Sequence, residues 1–332
     1  MSERLEVVGI GNAIVDVLAR VEEGFLARHE VTKGAMTLID DAAARALYAA
    51  MPPSREISGG SAANTIAGLA ALGAKVGYVG RVRDDQLGRI FAHDIRAQGV
   101  VYEGPLVPEA AANGAETGRC MVLVTPDGER SMSTYLGVSA ALQPEEIDAA
   151  LMARADWLYL EGYLFDLPAA KAAYARAIAA AKSGGGRVAF TVSDPFCVAR
   201  HRDDMRAMIA ADVDLLFANK AEILALYETE DLDAAAVAAA RDVEMAVITL
   251  SGEGALVVAG DARTAVPAAP TTLVDTTGAG DLFAAGFLAG LVRGRSPRDC
   301  ARMGCQAAAE VIAHIGARPE ADLRELMAAA GL

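Results

Sequence analysis

Short apolar runs alternate with amphipathic stretches along most of the chain. The runs "LEVVGIG" (5–11), "KVGYVG" (75–80), "DWLYLEG" (156–162), "RVAFTVSD" (187–194), "DLLFANK" (214–220) and "MAVITLSG" (245–252) have the length and β-branched content of buried strands. Between them apolar residues fall at helical spacing, from Ser61 onward, around Leu87 to Gln98, and through "DLPAAKAAYARAIAAAK" (166–182) and "DAAAVAAARD" (233–242). The alternation predicts an α/β fold: a doubly wound, mostly parallel sheet covered by helices on both faces, with ligands at the carboxyl ends of its strands. Two regions, at about 17–40 and about 100–137, break this rhythm. The second holds alternating strands joined by "PDGE", a turn signal, and together they predict a small β-sheet lid. With no fixed-period repeat and no linker, residues 1–332 are expected to form one domain carrying that lid.

Composition narrows the classes. The chain has 332 residues, 53% of them hydrophobic, enough for a sizeable core. No stretch has the length and freedom from charge of a membrane span, and "MSERLEVVGIGN" lacks the pattern of a secretory signal, so the expected location is cytoplasmic. A formal net charge of −14 disfavours nucleic acid and anionic membranes as partners. The four cysteines form no CxxC pair and the four histidines no HExxH cluster, which predicts reduced structural thiols.

Several motifs carry candidate chemistry. In "VVGIGNAIVD", Gly9 and Gly11 are followed by Ile14 where a dinucleotide fingerprint needs its third glycine, which weighs against a dehydrogenase. What remains is Asn12 and Asp16 at the end of the first strand, open to both capping and ligand binding. "GLAALGAK" has Gly68 and Gly73 at P-loop spacing, but Ala74-Lys75 follows and the segment reads as helix, so packing explains those glycines. In "SGGSAANTIAGLAALG", Gly59 and Gly60 permit close approach of the backbone to a ligand, Ser61 can cap the helix and Asn64 lies in its first turn.

The most informative stretch is "TTLVDTTGAGDLFAAGFLAGL". A strand over 271–274 is expected to end at Asp275, with Gly278-Ala279-Gly280 forming a turn before a helix whose first amides make an anion site. Asp281 beside it could take a proton from a hydroxyl attacking phosphorus, or merely complement the helix dipole. "FANKAE" places Asn219 and Glu222 together at a helix start. They suit hydrated Mg²⁺ beside nucleotide phosphates, or an ordinary solvated helix end.

"GGSAANTIAGLAALGAKVGYVGRVRDDQLG" from Gly59 and "DTTGAGDLFAAGFLAGL" from Asp275, in this order, make the chain similar to the ribokinase-like, or PfkB, carbohydrate and nucleoside kinases over nearly its whole length. The resemblance implies ATP and Mg²⁺ as cofactors. It implies Asp281 as the base activating the acceptor hydroxyl, with Gly278, Ala279 and Gly280 as the anion hole. It further implies Asn219 and Glu222 at the Mg²⁺ and phosphate, Asp16, Gly60 and Asn64 at the acceptor's hydroxyls, and Asp275 with Thr277 in a loop for a monovalent cation such as K⁺. Within the family "GNAIVD", "ETGRCMVLVTPDGERSM", "YLEGYLF" and "DLLFANKAEILAL" resemble the adenosine kinases. That branch implies a purine-salvage kinase making AMP, with Asn12 and Asp16 at the ribose. In it Arg130 of the "GER" turn resembles a lid arginine reaching the phosphate side, and Thr249, Ser251, Gly252 and Gly254 match the segment lining the nucleotide site. Met36, Leu38, Leu136 and Phe165 are candidate apolar walls for a purine. Asp194 in "VSDPF" departs from that branch. A sugar kinase acting on ribose, fructose or a ketodeoxy sugar acid is the alternative. The intact "GAGD" and "NKAE" argue against a non-catalytic nucleoside- or nucleotide-binding regulator. In this fold the lid sometimes pairs between subunits, so a homodimer through it is a further expectation.

Overall fold

The computed structural model describes residues 3–104 and 106–332. In chain order the strands are β1 (Leu5–Ile10), β2 (Ile14–Arg20), β3 (Met36–Leu38), β4 (Arg55–Gly59), β5 (Val76–Val79), β6 (Gly118–Val124), β7 (Arg130–Tyr135), β8 (Ala155–Glu161), β9 (Arg187–Thr191), β10 (Leu215–Asn219), β11 (Met245–Thr249), β12 (Ala255–Ala259) and β13 (Ala262–Val266). The helices are α1 (Glu23–Arg28), α2 (Asp41–Ala50), α3 (Ser61–Ala71), α4 (Gln86–Ala97), α5 (Ala149–Met152), α6 (Pro168–Ser183), α7 (Pro195–Asp212), α8 (Lys220–Tyr227), α9 (Leu232–Asp242), α10 (Ala279–Val292), α11 (Pro297–Val311) and α12 (Leu323–Ala329).

The larger sheet runs β13-β12-β11-β10-β9-β8-β1-β5, parallel from β5 to β11 and closed by an antiparallel pair of hairpins. Its central strands are apolar on both faces because both are covered. Val7, Tyr159, Phe217 and Val247 join the core under α3, α10 and α11, while their neighbours Val8, Leu158, Leu216 and Ile248 join the core under α6 to α9. The chain steps from β1 to β5 on one side and later to β8 on the other. That reversal opens a crevice beyond the carboxyl ends of β1 and β8, where such sheets bind ligands.

A second sheet, β3-β7-β6-β2-β4, forms the lid. Along β6, Met121 and Leu123 pack outward with Phe25 and Leu47, while Cys120, Val122 and Val124 face inward with Ile14, Leu18 and Ile315. The lid differs from the expected segments: it begins at Ile14, recruits β4, and takes no named strand from residues 100–117. Those residues instead bridge back to the large sheet's side, Val101 to Gly77 and Val107 to Arg83. The strand expected over 271–274 is absent as well. Leu273 and Val274 are 63% and 47% exposed and pair with no strand among the described residues. The amides of Val274 and Asp275 instead both donate to the Ile312 carbonyl at the end of α11.

Helix α10 is apolar all round and buried, and small residues bring its neighbours close. A Cβ on Gly68 of α3 would fall 2.7 Å from Leu282 and 2.8 Å from Ala285, and one on Gly286 would fall 2.4 Å from the Met303 carbonyl of α11. The packing role expected of Gly68 is therefore its role in the fold.

Candidate active site

Helices α3 and α10 meet at their N-terminal ends, and the double glycine explains how. A Cβ on Gly60, at φ +102°, would lie 2.1 Å from the Asn12 carbonyl, and one on Gly59 would lie 2.4 Å from the Asp16 carboxylate. Only with both side chains missing can the turn press against the residues after β1 and start α3 at Ser61. From that first turn Ser61 Oγ donates to Asp281 Oδ1 at 2.6 Å and Asn64 Nδ2 to Asp281 Oδ2 at 2.9 Å. Burial pushes the Asp281 carboxyl above its ordinary range, opposed by these two hydrogen bonds and by the Arg318 guanidinium. Asn64 Oδ1 is buried without a partner among the described residues, an acceptor turned to no protein donor.

Gly278 caps α10 in the left-handed conformation at φ +77°, with Ala317 packed where its side chain would be. The Ala279 amide is partly used, donating to the Thr276 carbonyl at 3.2 Å. Gly280 faces open space, where an added Cβ would meet nothing within 4 Å. Two first-turn residues thus frame room for an anion beside Asp281.

After β1 the polar pair separates. Asn12 is 3% exposed, and its side chain is engaged by the protein: Nδ2 donates to Glu161 Oε1 at 3.0 Å, and Oδ1 accepts from Ser139 Oγ at 3.0 Å. Asp16 lies within β2, not at the end of β1, and accepts a hydrogen bond from no described residue. Burial raises its carboxyl to about 6, with Arg318 opposing the shift and Asp281 adding to it.

Sequence reasoning missed two residues here. Glu161, fully buried at the end of β8, accepts the amides of Asn12 and Ala62, each at 2.7 Å, and burial raises it to about 7. Its one signal was an acid closing an apolar strand. Arg318 reaches the site from beyond α11, with no motif to mark it.

At the end of β10 Asn219 and Glu222 cap α8 and bond each other. Asn219 Oδ1 accepts the Glu222 amide at 2.9 Å, and Glu222 accepts the Asn219 amide at 2.8 Å and its Nδ2 at 2.6 Å. Burial raises Glu222 to about 7. Among the described residues no three His, Cys, Asp or Glu side chains gather as a metal cluster. Both oxygens of the Glu222 carboxylate are engaged by Asn219. Thr249 ends β11, and Ser251, Gly252 and Gly254 form the turn after it, with Gly254 held at φ +99° against the Val266 carbonyl.

The lid reaches the anion loop. Arg130, which opens β7, pairs through Nη1 with Asp275 Oδ2 at 2.5 Å and donates to Thr277 Oγ1 at 3.0 Å, while its Nε and Nη2 are buried without partners among the described residues. Asp275 also accepts the amides of Thr277 and Gly316. The residues expected around a monovalent cation thus already face a guanidinium.

Of the expected apolar walls, Met36 and Leu38 sit on the lid edge 43% and 51% exposed, and Leu136 follows β7 half-buried. Phe165 is not a wall. It packs against Tyr174 and Phe190 in the core on the far side of the large sheet, because it lies inward on the turn after β8. Asp194 has a local role, capping α7 by accepting the Phe196 and Cys197 amides, and it leaves the Phe196 ring 75% exposed. No helix among the described residues is long and apolar enough to cross a membrane.

Known proteins share this fold. The model of the pfkB family carbohydrate kinases matches residues 51–323. A probable sugar kinase from Rhizobium etli has the same fold with a TM-score of 0.91 and 46% identity, covering 99% of each chain. An adenosine kinase from Sinorhizobium meliloti has a TM-score of 0.90 and 48% identity, covering 98% of this chain and 99% of its own. An ATP-dependent ribose-1-phosphate kinase from Halopiger xanaduensis is 36% identical over 241 residues, 73% of this chain and 75% of its own.

Proposed function

We propose, for a chain that belongs to the PfkB family of carbohydrate kinases, that the hydroxyl it phosphorylates is the 5′ hydroxyl of adenosine. The observation that carries this reading is the Asp281 carboxylate, fixed by Ser61 and Asn64 in the first turn of α10. A carboxylate beside an anion site repels phosphate, and Asp281 offsets that cost by taking the proton of the attacking hydroxyl. The orphaned Asn64 Oδ1 and the unbonded Asp16 carboxylate accept from the acceptor's hydroxyls. The start of α10 and the two unpartnered nitrogens of the lid's Arg130 guanidinium, Nε and Nη2, stabilise the transferring phosphoryl group. Glu222, with Asn219 bonded to it, would hold Mg²⁺ through water at the ATP phosphates, where the ion supplies charge neutralisation. Because Arg130 already faces Asp275, a K⁺ requirement is no part of the proposal.

Adenosine is favoured over a sugar by the apolar lid edge at Met36 and Leu38, which suits a base and which a polyol does not need. The 48% identity to an adenosine kinase supports the same reading. One observation favours a second one. The unpartnered Nε and Nη2 of Arg130 could serve an anionic acceptor such as a sugar phosphate, the substrate named for the Halopiger relative. The deciding experiment is ADP release with Mg-ATP against adenosine, inosine, ribose, ribose 1-phosphate, fructose and ketodeoxygluconate, with product mass as the check. AMP from adenosine at the highest kcat/KM of the panel is the expected result. A sugar or sugar phosphate outrunning adenosine overturns the assignment of acceptor.

A further inference from the structure

Three consecutive residues after α11 touch three parts of the site. The Gly316 amide donates to Asp275 Oδ2 at 3.1 Å, the oxygen that also receives Arg130 from the lid. Ala317 packs on Gly278 at the start of α10, where an added Cβ would come within 2.7 Å of the Ala317 Cβ. Arg318 then reaches across to α3. Its Nη1 donates to the Ala63 carbonyl at 2.8 Å, and its Nε and Nη2 donate to the Ser58 carbonyl at 3.2 and 2.7 Å. Ser58 and Ala63 flank Gly59-Gly60-Ser61-Ala62, so the guanidinium straddles the double-glycine turn. Asp94 of α4 holds Ser58 from behind, accepting its amide at 2.9 Å and its hydroxyl at 2.5 Å.

Two consequences follow from the chemistry of that guanidinium. A turn with Gly60 at φ +102° has no side chains of its own to fix it, and the two donors that orient Asp281 leave from its end. A planar fork with donors on several sides can grip carbonyls on both flanks at once, which a lysine ammonium of the same charge cannot match. Arg318 is also a cation set among carboxylates: Asp94 on α4, Asp16 on β2 and Asp281 on α10, with Tyr78 on β5 beside them. The other titratable groups facing Asp281, namely Asp16, Tyr159 and Glu161 of β8, Tyr163 after it and Glu222 of α8, are all acidic.

We propose that Arg318 is a positioning residue for phosphoryl transfer: it fixes the double-glycine turn from whose end Ser61 and Asn64 hold Asp281. Gly316-Ala317-Arg318 is then the brace through which the lid contact at Asp275 and the base are held as one unit. The role in turnover rests on the kinase reading above; the mechanical role does not.

The test compares Arg318→Lys and Arg318→Met in the full chain, with ADP binding and the near-ultraviolet spectrum as controls for folding. In Arg318→Met the acid limb of kcat/KM against pH is expected to move up by about one unit, the low end of the effect of an opposite charge on a carboxylate. Its kcat is expected to fall at least about tenfold. Arg318→Lys keeps the charge and so keeps the limb in place, while losing kcat. In both variants, without any substrate, the amides of residues 60–64 should exchange with solvent about tenfold faster, as the turn opens locally. A limb and kcat in Arg318→Met equal to those of the parent overturn the catalytic part, and unchanged exchange overturns the brace. A parent protein that phosphorylates no acceptor sinks the kinase reading instead, and the exchange result still decides the brace.

Discussion

As the proposed base, Asp281 meets two opposed requirements, since a base must be ionised to accept a proton yet must be buried to keep water from the phosphoryl group. Burial raises its carboxyl, so activity should fall as the pH drops through a limb above the ordinary carboxylate range, the protonated acid being unable to serve. Asp281→Asn keeps the size and Ser61's acceptor, and Asn64 can turn its orphaned Oδ1 toward the new amide, so the fold should survive. We expect kcat to fall by about 10²- to 10⁴-fold, the usual worth of a general base, with KM for ATP and acceptor changed only slightly. Steady-state kinetics on the purified variant check this, and an unchanged kcat removes Asp281 from the role. This residue was legible because its glycines, its helix and its acid are contiguous in "GAGD". Arg318 and Glu161 were not, because each acts on backbone groups of a turn far away in sequence, and a bond to a carbonyl or an amide leaves no pattern in side-chain types. Phe165 was misread for a related reason: its aromatic character suits a purine wall and a core equally, and only the turn after β8 decides between them.

At the scale of elements, the site's geometry is the geometry of α3 against α10. Gly68 lies one turn beyond Asn64, and its missing side chain sets how closely Leu282 and Ala285 approach. Gly68→Ala must push α10 away, which overpacking of this kind makes cost about 1–3 kcal/mol. Because Asn64 and Asp281 lie on the two displaced helices, kcat should fall along with the melting temperature. A loss of stability with full kcat would show that the base is positioned independently of this contact. The alternation that identified the βαβ units works where a strand is buried on both faces, as with β1 and β8 to β11. It failed at two places for opposite reasons. "REISG" forms β4 despite its polar start, because β2 offers it a partner edge, while "TTLV" has strand propensity and no partner, so its amides go to the end of α11.

Across the whole molecule, the acids that equip the site act against its stability at neutral pH. Asp16 is raised to about 6, and Glu161 and Glu222 to about 7, above the values near 4 that such groups have in an unfolded chain. Between roughly pH 4 and 7 the folded protein therefore binds protons that the unfolded chain has released, and stability falls as the pH rises through that window. Acids held low by surface partners, such as Asp204, Asp299 and Asp322, are already ionised in both states above pH 5 and add no slope there. The net charge of −14 pushes the same way, since each further ionisation adds to self-repulsion. The melting temperature should thus be higher at pH 5.5 than at pH 7.5 at constant ionic strength, the reverse of the dependence expected of activity. Asp16→Asn should flatten the profile, because no described residue donates to that carboxylate and the neutral amide leaves no donor stranded. A profile that rises toward pH 7.5, or one that Asp16→Asn leaves unchanged, would show that these carboxyls find compensation in the folded protein. The expected result places the cost of the ionised site within the fold itself, with ligand binding as the step that recovers part of it.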